Sequence, residues 1–123
     1  MHEISVLSTI MGAAVSAAKD KGALKIITLK IRIGSLTHLS REQLAGCWEF
    51  LRDGDPLTAE AVLDFEVEEP LIVCPDCDWK GMPELVDIGD GKKIPSLRCI
   101  KCGAQAVVEK GNDCILTGIV IDV

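Results

Sequence analysis

The sequence predicts an α+β protein: two helices packed on a small three-stranded sheet, with a lobe of short antiparallel strands inserted into it. Three observations carry that expectation. Apolar residues recur at helical spacing in two stretches and alternate at strand spacing in three others. The segment from Pro70 to Asn112 abandons both periods for turns, prolines and cysteines.

From Glu3 to Lys21 the residues Ile4, Leu7, Met11, Ala14 and Ala18 fall on one helical face, widened by Ile10 and Val15. Gly22 stands where a helix ends in a left-handed residue. IITLKIRI then sets Ile27, Leu29, Ile31 and Ile33 against Thr28, Lys30 and Arg32, a strand with one wet face, and Gly34 stops it. Ser40 with Gln43 has capping-box spacing, and Leu44, Cys47, Trp48 and Leu51 form the apolar face of a second helix. DGDP at 53–56 ends it. A second strand follows, with Leu63, Phe65 and Val67 alternating against acidic residues.

At the far end, ILTGIVIDV places Ile115, Thr117, Ile119 and Ile121 on one face. That strand is too apolar for a solvated tail, and two strands alone make a marginal sheet. Returning it to the first two strands gives a discontinuous main domain, 1–69 plus 113–123. Residues 70–112 are then an inserted lobe.

The 123 residues carry a net charge of −6, with Lys and Arg scattered. Nucleic-acid affinity rests on clustered cations meeting phosphates, so this balance speaks against such a partner. No apolar run approaches the ~20 residues of a membrane-spanning helix. ISVLSTIMGAAVSAA has some features of a signal peptide, but the MHE before it lacks Lys and Arg, so the expected location is the cytoplasm.

Four of the six cysteines form two C-x-x-C pairs, Cys74/Cys77 and Cys99/Cys102, with 21 residues between them. Two-residue spacing turns both thiolates of a pair toward one ion, and two pairs supply the tetrahedral sulfur set of a structural Zn²⁺. The lobe is thus zinc-ribbon-like. A disulfide framework does not suit an acidic chain without a secretory leader. A thioredoxin-like pair would open a helix, and neither pair does. Iron in an S₄ site is left open by ligand count. Four protein ligands leave no position for a substrate, so the site is structural. Cys47 and Cys114 read as small hydrophobes of the core.

The chain has two histidines, His2 and His38. A large second residue blocks removal of the initiator methionine, so the free amine belongs to Met1. That amine, the backbone nitrogens of His2 and Glu3 and the His2 imidazole can converge on one ion. Four nitrogens in a plane suit Ni(II) or Cu(II). The plainer alternatives are a polar residue before a helix for His2, a helix-dipole residue for Glu3 and a surface residue for His38.

MHE at the terminus, the helix–strand–helix–strand order, IGSL after the first strand, the paired cysteines and the closing apolar strand together resemble the HypA/HybF family. The resemblance implies a nickel metallochaperone for hydrogenase maturation, with nickel at Met1, His2 and Glu3 and zinc at Cys74, Cys77, Cys99 and Cys102. It implies as partners a maturation GTPase and the hydrogenase large-subunit precursor, and leaves room for a weak homodimer. Such a protein makes and breaks no covalent bond, so no enzyme activity is expected. Some relatives carry an acidic residue near the start of helix two that assists nickel. This chain reads THLSRE there, with Ser40 at that position, and whether His38 assists is open. Some relatives also place histidines beside the knuckles. This chain has none there, which implies a fixed Cys₄ site. The rival reading is a zinc-ribbon module for protein or nucleic-acid contacts.

Overall fold

The structure, a computed structural model, describes residues 2–123. The elements in order are α1 (His2–Asp20), β1 (Lys25–Gly34), α2 (Arg41–Leu51), a 3₁₀ turn (Arg52–Gly54), β2 (Val62–Glu68), β3 (Leu71–Val73), β4 (Lys80–Gly81), β5 (Glu84–Gly89), β6 (Lys92–Ser96), β7 (Val107–Lys110) and β8 (Cys114–Asp122). They divide into two compact units. One holds the chain up to Ile33, His38–Val67 and Cys114–Val123, and the other holds Gly34–Thr37 and Glu68–Asp113.

In the first unit the strands stand in the order β2-β1-β8. β8 runs antiparallel to β1. β2 runs in the same direction as β1, because their contacts climb together: Lys25 pairs with Glu60 at 3.8 Å and Arg32 with Glu66 at 3.5 Å. Parallel neighbours need a crossover, and α2 supplies it. Leu7, Ile10, Ala14 and Ala18 of α1, Leu44 and Trp48 of α2, and Ile26, Leu29, Ile31 and Ile33 of β1 form the core.

Local chemistry sets the helix ends. After α1, Gly22 adopts φ 68°; its N–H reaches Lys19 O at 3.1 Å while Ala23 N–H reaches Ala18 O at 3.0 Å, the paired bonds of a Schellman ending. Ser40 Oγ accepts from Gln43 N–H at 3.3 Å at the start of α2. Within the core, Trp48 Nε1 donates to Ala61 O at 2.8 Å. Trp48→Phe keeps an aromatic six-membered ring but loses the pyrrole ring with its N–H, leaving that carbonyl without its donor and the site underfilled. The expected cost is about 1–3 kcal/mol, read from the chemical-denaturation midpoint.

Two strand faces differ from the sequence expectation, and β-bulges are the reason. The β1–β8 register slips by one residue between Ile26 and Thr28, and slips back between Lys30 and Ile31. Ile27 is the extra residue on β1. Ile26 therefore takes the buried place beside Leu29, and Ile27 stands 42% exposed. On β8 the extra residue lies at Thr117, so the face toward the core is Cys114, Leu116, Ile119 and Ile121. Ile115, expected inside, is 44% exposed. On β2, Leu63 and Phe65 pack inward as expected, whereas Val67 is 52% exposed.

The second unit contains two small antiparallel sheets, one ordered β4-β3-β7 and the other the hairpin β5-β6. The segment Gly34–Thr37 is stitched into it: Gly34 N–H donates to Asp113 O at 2.7 Å, Ser35 N–H to Glu68 O at 3.1 Å and Leu36 N–H to Gly111 O at 2.8 Å. Gly111 N–H in turn donates to Glu68 Oε1 at 2.9 Å.

Candidate metal centres

The two C-x-x-C pairs fold into the same turn. Cys74 N–H donates to Trp79 O at 2.7 Å and Cys99 N–H to Ala104 O at 2.8 Å. Asp78 N–H returns to Cys74 O at 3.0 Å, as Gly103 N–H does to Cys99 O at 2.9 Å. The residue after each second cysteine is left-handed, Asp78 at φ 62° and Gly103 at φ 76°. That reversal turns the chain back so that the Trp79 and Ala104 carbonyls reach the N–H of the first cysteine of each pair. Aspartate tolerates the left-handed region better than most residues with a Cβ.

The turns bring four sulfurs to within 4.8 Å of one another. Cys74 Sγ lies 3.5 Å from Cys102 Sγ, and Cys77 Sγ lies 3.5 Å from Cys99 Sγ. Sulfurs about 2.3 Å from a tetrahedral ion are ~3.8 Å apart, so this set is spaced to close on one metal. Cys74 and Cys99 are buried, while Cys77 and Cys102 are exposed. All six cysteines stand as free thiols.

The metal-free sulfurs share protons unequally. Burial works to raise the Cys99 thiol, but the N–H groups of Cys102 and Lys101, with the neighbouring Cys77, outweigh it and bring it down to about 7. The Trp79 N–H draws Cys77 down, but its bond with Cys99, burial and the other two sulfurs push it up to about 12. Such coupled sulfurs titrate as a set, and a metal ion needs all four as thiolates. Cys47 and Cys114 pack against the first unit's core, apart from this cluster, and burial raises the Cys114 thiol.

At the other candidate site, α1 begins at His2 and has Glu3 in its first turn. Met1 and the side chain of His2 lie outside what the structure describes. The first four N–H groups of a helix have no intrahelical acceptor, so the backbone nitrogens of His2 and Glu3 are free of helical bonding. Glu3 lines an open groove of about 450 Å³ with Ile4, Gln43, Gly46, Cys47 and Phe50. The groove is largely apolar and runs between the first turn of α1 and one face of α2.

At the start of α2 sits an acid that the sequence reading passed over. Glu42 lies in the first turn and accepts a hydrogen bond from Ser40 Oγ at 2.7 Å. That bond, with backbone N–H support, holds its carboxyl below the usual range. His38 is exposed in the loop before the cap, in the left-handed conformation at φ 62°.

The family model described as "Hydrogenase/urease nickel incorporation, metallochaperone, hypA" matches residues 1–121. Among curated relatives, the hydrogenase maturation factor HypA of Methanopyrus kandleri is 30% identical over 135 residues, covering 100% of this chain and 94% of the relative. The factor of the same name from Methanococcus vannielii is 33% identical over 117 residues, covering 91% of this chain and 89% of its own length. The solution structure of the Ni metallochaperone HypA from Helicobacter pylori superposes with a TM-score of 0.71 at 24% identity, covering 98% of this chain and 97% of that one. That likeness shows the fold.

Proposed function

Since the chain belongs to the HypA family, whose model describes nickel-incorporating metallochaperones, we propose that it binds one Ni(II) at its amino terminus. It would pass that ion to the large-subunit precursor of a nickel–iron hydrogenase. The ligands are the α-amine of Met1, the backbone nitrogens of His2 and Glu3 and the His2 imidazole. The observation that carries this reading is the start of α1 at His2. It leaves the backbone nitrogens of His2 and Glu3 without helical acceptors, and their protons are the ones nickel would displace. The groove beside Glu3 leaves the site approachable by a receiver, as delivery requires.

In this reading the four cysteines, Cys74, Cys77, Cys99 and Cys102, hold a structural zinc. Thiolate donors favour zinc, and four protein ligands close the site. Residues 1–69 with 113–123 serve as the nickel-binding domain and 70–112 as the zinc lobe. A maturation GTPase is the expected partner and the cytoplasm the expected location. Among the described residues, no helix is long and apolar enough to cross a membrane.

The test is a Ni(II) titration by calorimetry of the protein starting at Met1, a form with extra residues before Met1, and His2→Ala. The native start is expected to bind one ion. Either change should weaken binding about a hundredfold, the loss of roughly 3 kcal/mol of metal–nitrogen bonding. Equal affinities across the three would remove the terminus from the site.

A further inference from the structure

The hairpin β5-β6 forms a sheet of its own and has no third strand among the described residues. Every residue of β5 is exposed, Leu85 at 62%, with Val86, Ile88 and Ile94 also open to solvent. A free sheet edge offers unpaired backbone groups to any extended chain, and proteins block edges they do not use with lysine, proline or a bulge.

The two edges of this hairpin are not treated alike. β6 carries Lys92, Lys93 and Pro95, two cations and a residue that cannot donate. β5 carries no lysine and no proline, and its one irregularity, the register shift between Asp87 and Gly89, lies beyond the Glu84–Asp87 stretch. Its pairs with β6 are Glu84 with Ser96, Leu85 with Pro95, Val86 with Ile94 and Asp87 with Lys93. Pro95 has no N–H, so the Leu85–Pro95 pair is not one that exchanges hydrogen bonds. The bonds fall on Glu84–Ser96 and Val86–Ile94, because bonded and non-bonded pairs alternate. The N–H and C=O of Leu85 and Asp87 therefore point away from β6, along the open edge.

We propose that the β5 edge is a docking strand for an extended peptide of the pattern cation–aliphatic–aliphatic–cation, added antiparallel as a third strand. Side-chain order fixes that pattern. Facing partners in an antiparallel pair lie close enough to interact directly. A visiting strand then meets Asp87, Val86, Leu85 and Glu84 in turn, calling for a cation, two aliphatic residues and a second cation. Backbone bonds to Leu85 and Asp87 hold the strand, and the flanking charges select it. A second copy of this chain is a poorer occupant. Pairing β5 with β5 gathers two Glu84 and two Asp87 carboxylates with no cation in either strand.

The probe is the labelled, end-capped hexapeptide Thr-Lys-Val-Ile-Lys-Thr, titrated by fluorescence anisotropy into the metal-loaded full chain. Replacing both of its lysines with glutamate should weaken binding about tenfold, as two unlike pairs become like pairs. N-methylation of its first lysine and its isoleucine, whose amides face β5, should abolish binding. Methylation of its valine and second lysine should not. Glu84→Lys in the protein should weaken the cationic peptide and strengthen the acidic one, a reversal that simple unfolding does not produce. Failure of the cationic peptide to bind, equal binding of both methylated peptides, or a β5-paired dimer that the peptide does not displace would each overturn the proposal.

Discussion

Cys74→Ser is expected to strip the metal from the second unit and unfold that unit while the first unit stays folded. Among the described residues, the buried hydrophobic side chains of the second unit are Ile72, Cys74, Cys99 and Ala106. Two of those four are cysteines of the sulfur cluster, so the proposed metal centre and the hydrophobic core of this unit largely coincide. A segment of that size with so little buried apolar surface depends on its metal to fold. Structural zinc sites contribute about 10–16 kcal/mol of apparent binding free energy, comparable to the whole stability of a domain. Serine at a site with no exposed surface supplies neither a thiolate nor equivalent packing. The same substitution at exposed Cys77 or Cys102 removes a ligand but no buried surface, and should be milder. Elemental analysis and limited proteolysis check the ranking. A Cys74→Ser protein with full metal content and an uncut 68–113 segment would refute it.

The second large effect is expected at Gly34. A Cβ there would fall on the carbonyl group of Gly111 and come 2.8 Å from Asn112 N. All of these are backbone atoms, and the segment is pinned by the bonds from Gly34 to Asp113 and from Leu36 to Gly111. No flexible side chain can yield. Gly111 is equally fixed, since it adopts φ +90° and a Cβ on it would lie 2.7 Å from Pro70 Cα. Gly34→Ala should therefore cost about 3 kcal/mol or more. Gly12 lies within α1 with nothing within 4 Å of its built Cβ. Gly12→Ala should stabilise by about 0.8–1 kcal/mol through helix propensity. Chemical denaturation of the two variants should give opposite signs, and equal midpoints would dismiss the close approach as a constraint.

Both helices, the closing strand and the sulfur cluster were legible because each rests on a repeating or spaced signal. Leu7, Ala14 and Ala18 are buried at helical intervals, and the two knuckles share the same pair of backbone hydrogen bonds. What escaped was the facing of Ile27 and Ile115. A bulge is one residue of altered backbone and changes no composition, so strict alternation carried across Ile27 and Thr117 assigns the wrong face. The acid at Glu42 escaped because Ser40 drew attention as the cap, and capping is what orients Glu42. The open edge of β5 escaped because 84–96 reads as turn-rich filler between cysteines. Only the pairing of Leu85 with Pro95 shows where its backbone groups point. The terminal site was legible only through the company of the other motifs, since a histidine at position 2 carries little information alone.

The bond between Gly34 and Asp113 has a consequence for how the first unit assembles. β1 ends at Gly34 and β8 begins at Cys114, so pairing them requires closing a loop that contains the whole second unit. For a flexible chain of that length the entropic cost is roughly 4 kcal/mol. When the second unit folds around its metal, it already holds Gly34 and Asp113 together at 2.7 Å. The long loop then behaves as a tight turn, and β8 finds β1 as a hairpin strand finds its neighbour. An ion held by the four sulfurs would thereby lower the barrier to completing a sheet to which it contributes no ligand.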